Sequence, residues 1–190
     1  MTGAEEFFHV RILVGIITAL SLSRLITNLA RPVQEQDWHR IGLVHTGWSV
    51  FLLLMIVHFW WFELGLSRIE KWTFGLYFFV IFYAILLFLI CTILFPEQQD
   101  RTTNFEDYFY SRQKWFYGLL ALIFLVDIAD SAFKGESHLR VLGLEYFLRQ
   151  AVFVVLSIIG IFVRAPLYHR LFVAGAILYQ MSWAVRQFEL

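Results

Sequence analysis

Apolar residues along this chain gather into six long runs, near 6–30, 41–65, 72–95, 115–134, 146–164 and 168–187. Each run has the ~17–25 residues that a helix needs to cross about 30 Å of hydrocarbon. Helix punctuation stands between them. Thr2-Gly-Ala-Glu5, Ser67-Arg-Ile-Glu70 and Thr103-Asn-Phe-Glu106 read as capping boxes, each just before an apolar run. Pro32, Pro96 and Pro166 lie at or just beyond the ends of the first, third and fifth runs, where a residue without an amide proton should stop a helix. Gly135 suits the C-terminal end of the fourth.

Two connections have periodicity of their own. In 96–114, Phe105, Tyr108, Phe109 and Phe116 recur at helical spacing with charges between them, which predicts a short interfacial helix running into the fourth span. In 135–149, Leu139, Val141, Leu142 and Leu144 alternate with Glu136, Arg140 and Glu145 and predict a second. There is no internal repeat, no low-complexity run and no soluble domain. The expected architecture is a single polytopic domain over 1–190: an all-α integral membrane bundle of about six transmembrane helices, with short loops and one or two interfacial helices.

Composition agrees with the pattern. Hydrophobic residues make up 59% of the chain and charged residues 16%, where a soluble domain carries about 25% charged. Such a chain cannot cover itself with polar groups in water, so the lipid bilayer is its expected solvent. Trp38, Trp60, Trp61, Trp72 and Trp115 fall near the ends of runs, as an aromatic belt requires. A formal net charge of zero argues against a nucleic-acid partner. The acidic N-terminal residues lead straight into the first run without a small-residue cleavage pattern, so that run is read as a span and not as a removable signal. The expected location is a multi-pass position in a cell (inner) membrane. Orientation stays open, because the basic residues other than Arg24 divide seven to seven between the two sides.

Charge inside a span is costly, at least ~2.5–3.5 kcal/mol near the centre, so it should face the bundle and find a partner. Three features meet that description. Arg24, with Thr18, Ser21 and Asn28, forms a polar stripe on one side of the first span. It reads either as an anion contact or as a buried salt bridge. In the fourth span Asp127, Asp130, Ser131 and Lys134 share one face. Two carboxylates a turn apart repel when both are ionised, which suits proton transfer or cation binding unless Lys134, Arg149 or Arg11 pairs with them. The second span contributes His45, His58 and Glu63. Counting rise along the spans brings His58, Asp127, Asp130, Arg149 and Gln180 to similar depth, in the half of the bundle that carries both termini. His45, Ser49, Arg24 and Asn28 fall in the other half.

These features favour a channel- or transporter-type protein with a proton- or cation-sensitive carboxylate site. The alternative is an accessory or assembly subunit whose buried charges only hold helix register. Six short spans are few for a transporter, so a homo-oligomer or a larger membrane complex is the expected partner. Enzyme readings are weaker. The lone Cys91 excludes a CxxC motif, and the chain has no HExxH and no GxSxG. Haem ligation by His45 and His58 lacks matching histidines on a facing span, since only His9 and His169 remain, near interfaces. No catalytic residue and no cofactor is expected, and metal binding is left open.

Overall fold

The structure is a computed structural model and describes residues 3–35, 42–69, 71–96 and 104–188. It contains six α-helices and, among the described residues, no strand: α1 (Gly3–Glu35), α2 (Leu43–Phe62), α3 (Phe74–Ile93), α4 (Phe105–Phe133), α5 (Glu136–Phe162) and α6 (Pro166–Phe188). A 3₁₀ turn, Glu63–Arg68, extends α2. Five helices are long and apolar enough to cross a membrane, which points to a membrane protein. The sixth, α6, is long enough but less apolar than the sixth run predicts. Its polar residues explain this: His169 and Gln180 are completely or almost completely buried, so it turns polarity inward.

Local chemistry sets the ends of several helices. Thr73, not Ser67, caps α3, its hydroxyl accepting the Leu76 amide at 3.2 Å. Ser67 is used up inside the 3₁₀ turn, bonding the Leu64 carbonyl. Asn104 caps α4 by accepting the Glu106 amide at 2.9 Å. Thr2 and Thr103, the other predicted caps, lie outside the described residues, as does Trp38. The predicted stop at Pro32 fails: α1 runs on to Glu35, because proline forfeits only the bond to the carbonyl four residues back and one last turn can follow. Pro166 opens α6, where its missing amide would have had no partner.

The two expected interfacial segments join the long helices. Residues 105–114 are the first turns of α4 without a break. Residues 136–142 precede a kink in α5 at Gly143, whose φ of 68° only glycine adopts without strain. Gly135 (φ 100°) makes the turn between α4 and α5 in the same way.

Side-chain pairs give the directions. His45 at the start of α2 meets Leu94 at the end of α3, and Gln113 early in α4 meets Gly160 and Val163 at the end of α5. Glu63 and Lys134 bring the ends of α2 and α4 together. Neighbours in sequence are therefore antiparallel, and α2, α4 and α6 run the same way. Helix α2 is central. It packs on α1, α4 and α6, while α4 packs closely on α5. Gly47 lets α6 approach: a Cβ there would stand 2.8 Å from Val173. The backbones of α5 and α6 stand apart and are joined by long side chains, Arg149 to Gln180 and Glu145 to Arg186 among them. The middle of the bundle is aromatic, with Trp48 ringed by Phe51, Phe116, Tyr117 and Phe172 at centroid distances of 5.1–5.7 Å. The outside is apolar too: Ile12, Ile16 and Leu20 on α1 and Val152, Val155 and Ile159 on α5 are exposed, as lipid contact would demand.

Candidate functional site

Acidic and basic side chains in the middle of apolar helices have to meet one another, and here they do so at the end of the bundle where α2 and α4 finish. Helix α4 supplies Asp127, Asp130, Ser131 and Lys134 from one face, as their spacing requires. The 3₁₀ turn after α2 swings Glu63 inward, so that it is only 6% exposed. Lys134 Nζ then bridges two acids. It donates to Glu63 Oε1 at 2.9 Å and to Asp130 Oδ2, with all three side chains almost fully buried. Its aliphatic stem passes Gly65, the small residue in that turn.

Asp127 has a different set of partners. The Tyr83 hydroxyl donates to Oδ1 at 2.8 Å, and the Tyr146 hydroxyl lies 2.8 Å from Oδ2. The Gln150 amide donates to the same Oδ2. Ser131 Oγ completes the chain 2.8 Å from the Tyr146 hydroxyl. Helices α3, α4 and α5 are thus tied at one carboxylate by three neutral donors, and no cation touches it among the described residues.

Arg149 of α5 stands on the far side. Its guanidinium donates to Gln180 Oε1 at 2.7 Å and lies over the rings of Phe124, Phe153 and Trp183 at 5.4–5.8 Å. Aromatic faces stabilise a desolvated guanidinium. No carboxylate reaches it among the described residues.

Between these groups is a cavity of about 40 Å³ open to water centres, space for roughly three waters. His58, stacked on Phe62 at 5.2 Å, lines it together with Asp127, Asp130, Arg149 and Gln180. Several polar atoms at or beside it have no partner among the described residues: Glu63 Oε2, Asp130 Oδ1, Arg149 Nε, Gln150 Oε1 and Gln180 Nε2. Buried polar atoms without partners are costly, so these are places for water, a proton or a ligand.

Two expected site residues lie elsewhere. His45 is 4% exposed, donates to the Leu94 carbonyl at 2.9 Å, and packs between Phe95 and Phe105. It latches the start of α2 to the end of α3. The Arg24 stripe does not converge on a site. Thr18 and Ser21 bond carbonyls of their own helix, and Asn28 donates to the Arg24 carbonyl. Intrahelical bonds satisfy the stripe's hydroxyls, so it offers no polar wall; Arg24 Nε is buried there without a partner.

Sequence reasoning undervalued Glu63 and missed Tyr83, Tyr146 and Gln150. Gln150 had a usable signal, as an amide in an otherwise apolar stretch. A tyrosine in a span full of aromatics gives none. Among the described residues, no three His, Cys, Asp or Glu side chains form a metal-binding set. Lys134 Nζ instead occupies the point between Glu63 and Asp130 where a cation would sit. No family model, no curated protein and no solved structure matches this chain.

Proposed function

We propose that this chain is a six-span membrane protein of the channel or transporter type, working through a proton-sensitive carboxylate site centred on Asp127. One observation carries the reading: the cavity gathers three carboxylates, of Glu63, Asp127 and Asp130, against two permanent cations, Lys134 and Arg149. An uncompensated charge away from water is expensive, and one proton restores balance. Lys134 already fills the position between two of the acids, so Asp127 is the carboxylate that no cation touches among the described residues. Its three donors come from neutral side chains, which hold the carboxylate in place without neutralising it. The small water-sized cavity beside it lies at one end of the bundle. Toward the other end aromatic side chains pack around Trp48. Passage through one chain therefore requires α4 or α6 to move, or a path at a subunit boundary.

The test is proton flux into liposomes loaded with a pH dye and driven by a potassium diffusion potential. Wild type should dissipate the gradient, and Asp127→Asn should slow it by about tenfold or more, since a positioned proton-transfer group contributes at least that. Equal flux from both proteins, or flux no greater than in empty liposomes, would remove the reading.

A second reading has its own support. The Glu63–Lys134–Asp130 bridge is buried and ties α2 to α4, as it would in an assembly subunit that needs only fixed helix register. A stoichiometric foreign membrane partner after mild-detergent purification, together with absent flux, would favour it.

A further inference from the structure

Helices α5 and α6 diverge enough to leave an open groove of about 450 Å³, within the size range of small-molecule sites. Its walls are apolar along most of its length: Leu148, Val152 and Leu156 from α5, Leu171 and Phe172 from α6. Gly175 forms part of the floor, and a Cβ built there meets nothing within 4 Å. From Glu145 to Leu156 the groove follows α5 for about 16 Å, within the candidate span His138–Phe162. Only that end is polar, with Glu145, Arg149 and Tyr179.

Charge at the polar end is unbalanced. Glu145 is already neutralised by Arg186, whose guanidinium donates to both carboxylate oxygens at 2.7 and 3.0 Å, and Tyr179 donates to it as well. Arg149 has no carboxylate partner among the described residues, and its Nε is buried without a hydrogen bond. The groove therefore ends on a cation that no carboxylate touches among the described residues. That is the shape and polarity of an amphiphile with an apolar tail and an anionic head.

We infer that the α5–α6 groove binds one anionic phospholipid of the surrounding bilayer, its acyl chain along Val152, Leu156 and Gly175 and its phosphate on Arg149. A zwitterionic lipid would fill the same volume and offer the same phosphate, but its head group carries a compensating cation, so selectivity comes from the net negative charge of the anionic head. Basic pockets between membrane helices act in this way. Because Arg149 also lines the carboxylate cavity, the lipid head would stand at that cavity's wall. The inference goes beyond the proton reading and does not depend on it, since lipid retention is measured without flux.

Native mass spectrometry of the purified full chain tests it, with added phosphatidylglycerol or phosphatidylcholine of identical acyl chains. Wild type should retain one phosphatidylglycerol about fivefold more strongly than phosphatidylcholine, the preference that about one basic side chain at a membrane surface supplies. Arg149→Gln should bring the two lipids to equal retention. Gly175→Leu, which fills the groove and leaves Arg149 in place, should abolish retention of both; it keeps the test decisive if Arg149→Gln does not fold. Equal retention by wild type overturns the inference, as does an undiminished preference in Gly175→Leu. A dimer that Gly175→Leu disrupts and phosphatidylglycerol does not displace would assign the groove to a second copy instead, which also overturns it.

Discussion

The two ends of this bundle both bury polar side chains, but they use them differently. At one end, neutral groups answer the carbonyls that helices leave unpaired at their C-termini. Gln113 donates to Gly160 and Val163 where α5 stops, and His45 donates to Leu94 where α3 stops. His169 Nε2 donates to Val163 while its Nδ1 accepts the Tyr117 hydroxyl at 2.7 Å. At the other end charged side chains meet one another around a cavity, and several of their atoms remain unpaired. A carbonyl of fixed direction can be matched by one amide or imidazole. Three acids and two cations arriving from α4, α5 and the turn after α2 cannot all be matched at once. What the contrast teaches is that burial of a polar residue is a weak sign of function, whereas burial with leftover bonding capacity beside a cavity is a stronger one.

If that division is right, the largest stability effect should come from Lys134→Met. Removing the ammonium strands Glu63 and Asp130 in the interior, and breaking a buried pair in this way costs about 3–5 kcal/mol. Denaturant unfolding in detergent would measure it, and adding Glu63→Gln and Asp130→Asn to Lys134→Met should recover much of the loss. Without that recovery, the bridge is not the source of the cost. The neutral end should respond less. Gln113→Leu leaves the Gly160 carbonyl unpaired in an apolar layer while Val163 keeps its bond from His169, a penalty of about 1–3 kcal/mol. A loss as large as that of Lys134→Met would erase the distinction between the two ends. The smallest effect belongs to the exposed pair at the mouth of the lipid groove. Glu145→Gln should leave the unfolding midpoint unchanged, because solvent screens that pair, and a clear shift would mean Glu145 is less exposed in the membrane than its position here indicates.

Much of this arrangement could be read from the pattern of residues. Arithmetic on α4 sets Asp127, Asp130, Ser131 and Lys134 on one face, and depth counting puts His58, Arg149 and Gln180 at their level. That works because a helix has a constant rise and a membrane sets a common origin for depth. The partners of Asp127 could not be read in this way. Tyr83 and Tyr146 point at it through the rotation of α3 and α5 about their own axes, which depth alone does not specify. Helix ends were legible only in part. Ser67-Arg-Ile-Glu70 has the form of a capping box, yet the 3₁₀ turn consumed Ser67 and left Thr73 to cap α3.

The sequence by itself determined that the chain is helical, that its long apolar runs belong in hydrocarbon, and that the charges within them must therefore seek one another. Those follow from periodicity and transfer energy, which are local properties. Tertiary structure alone decided which charge met which: Lys134 took Glu63 and Asp130, Asp127 was left to neutral donors, and Arg149 was left to aromatic rings and an open groove. That choice depends on how closely α2 approaches α6 across Gly47 and how far α5 stands from α6, distances that packing sets only once all six helices are in place.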